Sequence, residues 1–155
     1  MATADKKILV LGVGNILLKD EGVGVHSLKE LESYNLPSNV RLHDGWVAGI
    51  DLLEVIQEAD KLIVIDAVDA QAEPGAIFRF APHQVETMVK GHKTSLHQID
   101  LFETLKIAKF LDKCPETVII GIQPKLIDWG LELTPEIRAV LPRVAEIVCQ
   151  EIEMS

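Results

Sequence analysis

Four side chains that can bind a metal ion or move a proton stand where predicted strands end or a predicted helix begins. Glu21 follows the first strand and its glycine turn, Asp44 follows the second strand, and Asp66 ends the third. His97 opens a later helix. In open α/β sheets, ligands bind beyond the carboxyl ends of the strands. Glu21, Asp66 and His97 would offer two oxygen ligands and one nitrogen, which suits a divalent ion such as zinc or nickel with positions left for water or a substrate carbonyl.

Each candidate also has an ordinary structural explanation. Glu21 could complement a helix dipole, Asp66 could cap a turn, and His97 could be a polar loop residue. Asp44 could form an Asx turn with Gly45, and for this residue the turn and a role in the site stay equally open. The shared position at one edge of the sheet favours a site. The positive end of a helix dipole would also keep an imidazole neutral and able to bind a metal.

The turn after the first strand, Gly12-Val13-Gly14, partly matches a dinucleotide-binding fingerprint, in which Asp44 would be the ribose-binding acid. The third glycine position of that fingerprint is occupied by Leu17. Asp20 and Glu21 would place negative charge where a phosphate should bind. We therefore expect a cation at this turn, and a nucleotide-binding module is the alternative.

The elements that must position these residues alternate between apolar strands and amphipathic helices, which predicts an α/β fold with a mostly parallel sheet and helices on both faces. Parallel strands are predicted near Ile8–Val13, Val40–His43, Leu62–Ile65 and Thr117–Ile122. Only the short connection Ala67–Gly75 precedes the alternating segment Ala76–Phe80, whereas a parallel return normally needs about a dozen residues or more. The segment is therefore predicted to be an antiparallel edge strand.

The predicted helices carry recognisable start and stop signals. They lie at about Glu21–Tyr34, Ile50–Glu58 and Ser95–Leu111 and from Thr134 onwards, with a short one expected in Ala81–Lys90. Ser95 and Gln98 have capping-box spacing, and Pro135 has the first helical position, which proline favours. Pro142 falls inside the last helix, so a kink is expected near Arg138–Leu141.

The composition argues against several functions. The 155 residues include 48% hydrophobic side chains and carry a net charge of −9, so we expect one domain spanning residues 1–155 and no nucleic acid or anionic membrane as partner. No apolar run has the length of a membrane span and the first residues lack a signal-peptide core, which favours the cytoplasm. Cys114 and Cys149 are expected to be free thiols. Trp46 and Trp129 are expected to be buried, and exposure at the same edge of the sheet is the alternative for each. Ordinary polar roles are expected for the remaining histidines: His26, His43, His83 and His92.

Several motifs together resemble the nickel-iron hydrogenase maturation endopeptidases, in order along the chain from Lys7 to about Ile152. They are Gly12-Val13-Gly14-Asn15, Asp20-Glu21-Gly22-Val23-Gly24, Asp44-Gly45, Ile65-Asp66-Ala67, Ser95-Leu96-His97-Gln98, Gly121-Ile122-Gln123-Pro124 and Leu133-Thr134-Pro135. The resemblance implies a three-layer α/β/α sandwich with a five-stranded sheet. It also implies an aspartic-type endopeptidase that removes the C-terminal extension of a hydrogenase large-subunit precursor once nickel has been inserted.

The family's metal-binding Glu, Asp and His fall by motif on Glu21, Asp66 and His97, which the resemblance makes both the catalytic and the metal-binding residues. The nickel would be supplied by the precursor, whose cysteine thiolates hold it, and zinc or cadmium could replace it in crystals. The implied partner is the large-subunit precursor, and the protein itself is expected to be a monomer. A non-catalytic adaptor that senses nickel is a further alternative.

A substrate loop is implied at Asp44, Gly45 and Trp46. The family commonly has a second glycine where this chain has Trp46. The shape of this loop, and with it the precursor that is accepted, is therefore expected to differ from the family pattern.

Overall fold

A mixed sheet supports the molecule in the computed structural model, which describes residues 6–45, 52–84 and 96–155, with side chains for all of these except residues 96–100. Five strands in these ranges are arranged in the order β2-β1-β3-β5-β4. They are β1 (Ile8–Val13), β2 (Val40–Gly45), β3 (Lys61–Ala67), β4 (Ile77–Phe80) and β5 (Glu116–Ile122). All neighbouring pairs are parallel except β4 and β5. The predicted mostly parallel sheet with one antiparallel edge strand is confirmed.

Helices cover both faces of this sheet in the described part of the chain. They are α1 (Val23–Leu31), α2 (Leu52–Gln57), α3 (Leu96–Phe110), α4 (Pro135–Arg138) and α5 (Leu141–Glu153). Successive side chains of a strand point to opposite faces, so β3 contributes Ile63 and Ile65 to the core beneath α1 and α5 and Leu62 and Val64 to the core beneath α2 and α3. Because β1 and β3 are buried on both faces, their sequences are continuous apolar runs.

The first helix begins later than its sequence predicts. Lys19–Gly22 forms a 3₁₀ turn, and α1 starts only at Val23. Lys19 has a φ of 49°, which an α-helix does not contain, and the amide of Glu21 donates to the carbonyl of Leu18, three residues back. This turn decides the directions in which Asp20 and Glu21 point.

The last predicted helix is broken rather than kinked. It is divided into α4 and α5, with Pro142 in the first turn of α5. Pro142 has no amide hydrogen to donate to the carbonyl of Arg138, so the helical ladder is interrupted there, at the predicted place. Thr134 precedes α4 with extended backbone angles, but its side chain makes no capping hydrogen bond to the helix.

Several other expectations fall wholly or partly outside the described residues. Ser95, Trp46 and the loop at 91–94 lie there, and within Ala81–Lys90 the described part contains a 3₁₀ turn at Pro82–Gln84. None of the helices in the described ranges is both long enough and apolar enough to cross a membrane. Cys114 and Cys149 are free thiols, as predicted.

Candidate active site

Gly14 lies between the backbone of Glu21 and the side chain of Asp66, two of the predicted site residues, at the carboxyl edge of the sheet. It has a φ of 134°, and a Cβ added to it would collide with the carbonyl oxygen of Glu21 and lie 3.8 Å from Oδ1 of Asp66. Any side chain here would therefore push the Glu21 backbone away from Asp66. The glycine turn serves this approach of the chain to itself, and the oxygens around it disfavour a phosphate.

A second glycine fixes the start of α1 against the same edge. A Cβ on Gly24 would collide with the carbonyl oxygens of Val13, the last residue of β1, and of Ile65, near the end of β3. Helix and strands are thus in direct backbone contact. The position of Glu21, just before α1, is consequently tied to that of Asp66, just after Ile65.

Asp66 lies on the same face of the sheet as α3. In β3 it follows Leu62 and Val64, which pack against α2 and α3, and it is only 3% exposed. His97 is in the first turn of α3, as predicted, but its side chain is among those outside the described part. Among the described side chains no group of three metal-binding residues is gathered. The third member of the predicted set therefore stays a prediction.

Asp44 lies apart from this pair. It is two strands away from Asp66, because β1 runs between β2 and β3, and it pairs in register with Gly12. It follows Leu42, which packs in the core beneath α1, so alternation points Asp44 to the opposite face from Asp66. Its side chain is exposed, Gly45 is buried at the end of β2, and Trp46 lies outside the described residues. The substrate loop predicted there remains a prediction.

Asp20 has a role that its sequence position did not reveal. It is completely buried, and its two oxygens accept hydrogen bonds from the amides of Lys125 (3.0 Å), Leu126 (3.0 Å) and Thr134 (2.8 Å). The hydroxyl of Thr134 donates to it as well, at 2.8 Å. Asp20 therefore anchors the connection between β5 and α4 beside the glycine turn. An adjacent Asp-Glu pair in a sequence indicates negative charge, but it does not show that one of the two residues is a buried anchor.

The anchored connection carries Trp129, whose predicted burial is wrong. The side chain is 75% exposed. The neighbouring backbone is held by hydrogen bonds from the amide of Lys19 to the carbonyl of Gly130 and from the amide of Gly130 to the carbonyl of Leu17, both 2.9 Å. The loop around Trp129 is thus held against the turn, and Trp129 lies on its exposed side, whereas Leu133 of the same connection packs into the core.

His26 is the histidine whose environment departs most from an ordinary surface position among those described. Nε2 is buried and has no hydrogen-bond partner in the described part of the chain. Burial lowers the pKa of His26 below its usual 6.5, and the nearby Arg138 guanidinium lowers it further. The imidazole sits in α1 near Gly22, directly behind the turn that carries Glu21.

Fold and site together define an α/β protein with a glycine-lined acidic site at the carboxyl edge of its sheet. Comparison with known proteins narrows this class to one family. The model of the hydrogenase maturation protease family HycI matches residues 25–151. The chain therefore belongs to the hydrogenase maturation proteases, a family of hydrolases.

Relatives match nearly the whole chain. It is 41% identical over 152 residues to the hydrogenase expression/formation protein HupD of Bradyrhizobium diazoefficiens, covering 96% of this chain and 79% of the relative. It is 34% identical to the hydrogenase 2 maturation protease of Escherichia coli, covering 96% and 92%. The solved structure of the hydrogenase maturating endopeptidase HybD from E. coli matches with a TM-score of 0.88 and 34% identity, covering 96% of this chain and 93% of that one.

Proposed function

We propose that this endopeptidase removes the C-terminal extension of a nickel-iron hydrogenase large-subunit precursor and that it acts after nickel has been inserted. The observation that carries the proposal is that the backbone of Glu21 and the carboxylate of Asp66 both lie close to Gly14. The proposal is also supported by the sequence similarity to the hydrogenase 2 maturation protease and by the structural similarity to HybD. The nickel is part of the substrate in this proposal, held by cysteine thiolates of the precursor.

The donor chemistry of the site fits a metal-bearing substrate. Asp66 is a buried carboxylate, and buried charges in proteins are paired or coordinate metals. Glu21 is only half-buried, so it can meet a group that arrives from solvent. With His97 from the first turn of α3, these residues would complete the coordination of the incoming nickel and so position the peptide that follows it.

The hydrolysis itself needs a base for the attacking water. A carboxylate can accept the proton of that water if it lies within hydrogen-bonding reach of it, and Glu21 and Asp66 are the carboxylates offered here. An ion at the same place would polarise the scissile carbonyl. We assign Glu21, Asp66 and His97 together both to recognition of the nickel and to hydrolysis of the peptide bond.

The test compares nickel-loaded and nickel-free precursor, incubated with the purified protein and resolved on a denaturing gel. Wild type should cleave the loaded precursor only. His97→Ala and Asp66→Asn should lose processing, while His83→Ala, a change of the matched kind outside the site, should process normally. Circular dichroism checks that each variant is folded.

Two results would contradict the proposal. Equal cleavage of the nickel-free precursor would remove nickel reading and leave a simple endopeptidase. Absence of cleavage of the loaded precursor by wild type, with binding retained, would leave a non-catalytic adaptor. A structure soaked with cadmium or zinc gives an independent readout, since the ion should bind Glu21, Asp66 and His97 together.

A further inference from the structure

One of the motifs found in the sequence, at the end of β5, contains a buried glutamine that the proposed function does not use. The side chain of Gln123 is only 6% exposed. Its Oε1 accepts hydrogen bonds from the amides of Ala70 (2.8 Å) and Ala72 (3.1 Å). Its Nε2 donates to Oδ1 of Asp69 (3.2 Å) and to the carbonyl of Pro124 (3.3 Å). A carboxamide has two donors and an oxygen with two lone pairs, so all of its hydrogen-bonding positions are used.

Three of these partners belong to the segment that leads from Asp66 to β4. The main chain of Gln123 is bonded to the same segment, because its carbonyl accepts from the amide of Gly75 and its amide donates to the carbonyl of Ala76, both at 2.9 Å. Asp66 itself pairs in register with Gly121, two residues before Gln123. Gln123 therefore fixes the chain shortly after it leaves Asp66.

The residues that follow Gln123 are bonded to the turn that carries Glu21. The amides of Lys125 and Leu126 donate to the carboxylate of Asp20. The amide of Asp20 donates back to the carbonyl of Leu126, at 3.3 Å. We call residues 123–126 the bridge. It is hydrogen-bonded on both sides to the segments that carry the two carboxylates of the site.

We propose that Gln123 is a positioning residue of the active site: through the bridge, its carboxamide sets the segment after Asp66 relative to the turn that carries Glu21. This inference rests on the proposed function for the reaction that the two carboxylates serve. Because Gln123 is buried and its hydrogen-bonding groups are occupied, it acts through these segments and not on the substrate. A displacement of about 1 Å in a reacting group can cost on the order of a hundredfold in rate.

Gln123→Met tests the proposal, because methionine has a similar length but no donor and only a weak acceptor. Amide hydrogen exchange of the free protein should become faster at the two amides that lose their acceptor. It should also become faster at Lys125, Leu126 and Asp20, by at least about tenfold. The second group decides the question, since a glutamine that ordered only its own loop would leave those amides protected.

Lys61→Met is the matched control. Lys61 is a buried polar residue at the amino end of β3, the strand that carries Asp66, and it donates to Glu151. The control thus loses buried hydrogen bonds in the same strand but at the opposite edge of the sheet. All exchange factors are taken relative to this variant, which corrects for a general loss of stability.

The second measurement is the rate of cleavage at saturating nickel-loaded precursor, with circular dichroism to show that each variant is folded at the assay temperature. Gln123→Met should lower this rate at least about tenfold, and Lys61→Met should leave it unchanged. Gln123→Glu keeps an acceptor for Ala70 and Ala72 but loses both donors, so its rate should lie between those of wild type and Gln123→Met. Where Gln123→Met does not fold, Gln123→Glu is compared with Lys61→Met in both measurements.

The outcomes distinguish this inference from the proposed function. Faster exchange confined to Ala70 and Ala72 would overturn it, and so would equal cleavage rates in Gln123→Met and Lys61→Met. Faster exchange on both sides of the bridge supports the inference even where wild type cleaves no precursor, a result that would contradict the proposed function alone.

Discussion

Asp20→Asn is the substitution for which the structure gives the sharpest expectation. The aspartate presents acceptors only, and each of its oxygens faces donors: Oδ1 faces the amide of Thr134, and Oδ2 faces the amides of Lys125 and Leu126. Asparagine replaces one oxygen with an NH₂ group that cannot accept. Whichever way the amide is turned, at least one backbone N–H is left facing another donor at a fully buried side chain.

The cost follows from that count. The better orientation directs NH₂ toward Thr134 and keeps the oxygen for Lys125 and Leu126, so one amide loses its acceptor at about 1 to 3 kcal/mol. The retained hydrogen bonds change from charge-assisted to neutral and weaken by roughly a further 1 kcal/mol. Asp20→Asn should therefore lower the free energy of unfolding by about 2 to 4 kcal/mol, a large share of the roughly 5 to 15 kcal/mol of a typical domain.

Urea unfolding measures this loss. The rate of amide hydrogen exchange should increase most at Lys125, Leu126 and Thr134. Asp128→Asn is the matched control. Asp128 lies in the same loop and accepts from the amide of Trp129, but it is exposed, so its change should cost less than about 0.5 kcal/mol. Equal stability losses in the two variants would refute the assignment of Asp20 as the buried anchor.

Three further predictions concern other parts of the chain. Gly75→Ala should destabilise by about 1 to 3 kcal/mol because this glycine has a positive φ. Gly14→Ala should destabilise more, because a Cβ there would also collide with the carbonyl oxygen of Glu21, and gel assays should show lost precursor processing only for Gly14→Ala. Lys61→Met should cost about 1 to 3 kcal/mol in urea unfolding, because the buried Glu151 would keep only its partly exposed partner Arg79. A Lys61→Met/Glu151→Leu double variant that failed to recover most of this loss would contradict it. Between its lowered pKa and 6.5, His26 binds fewer protons in the folded protein than in the unfolded chain, so the stability it contributes is lost as the pH falls through that window. His26→Asn should therefore flatten the dependence of the free energy of unfolding on pH between about pH 7 and pH 5. An unchanged slope in the variant would contradict this.

The sheet was predictable because its strands carry local signals. β1 and β3 are apolar on both faces, which a central parallel strand requires. The antiparallel direction of β4 followed from the shortness of the connection before it, and the break before α5 followed from Pro142. Each of these features depends on residues that are close together in the sequence.

The exposure of Trp129 and the role of Asp20 were not predictable in the same way. The partners of Asp20 lie 105 to 114 residues away along the chain, so no local pattern could reveal them. Trp129 lies exposed in the loop that this distant anchor holds against the turn. The opposite placement of Asp44 and Asp66 likewise required the observed register of β2 and β3 with β1.

The 3₁₀ turn gives the adjacent residues Asp20 and Glu21 different roles: Asp20 anchors a loop, and Glu21 belongs to the proposed site. A 3₁₀ turn has three residues per turn, so successive side chains point about 120° apart. In the turn Lys19–Gly22, Asp20 points inward to the β5–α4 connection and is fully buried, while Glu21 remains half-buried beside Gly14. Loosening the loop at Asp20 therefore also loosens the segment that carries Glu21. Loop order and the geometry of the carboxylate site are consequently linked through a single turn of backbone.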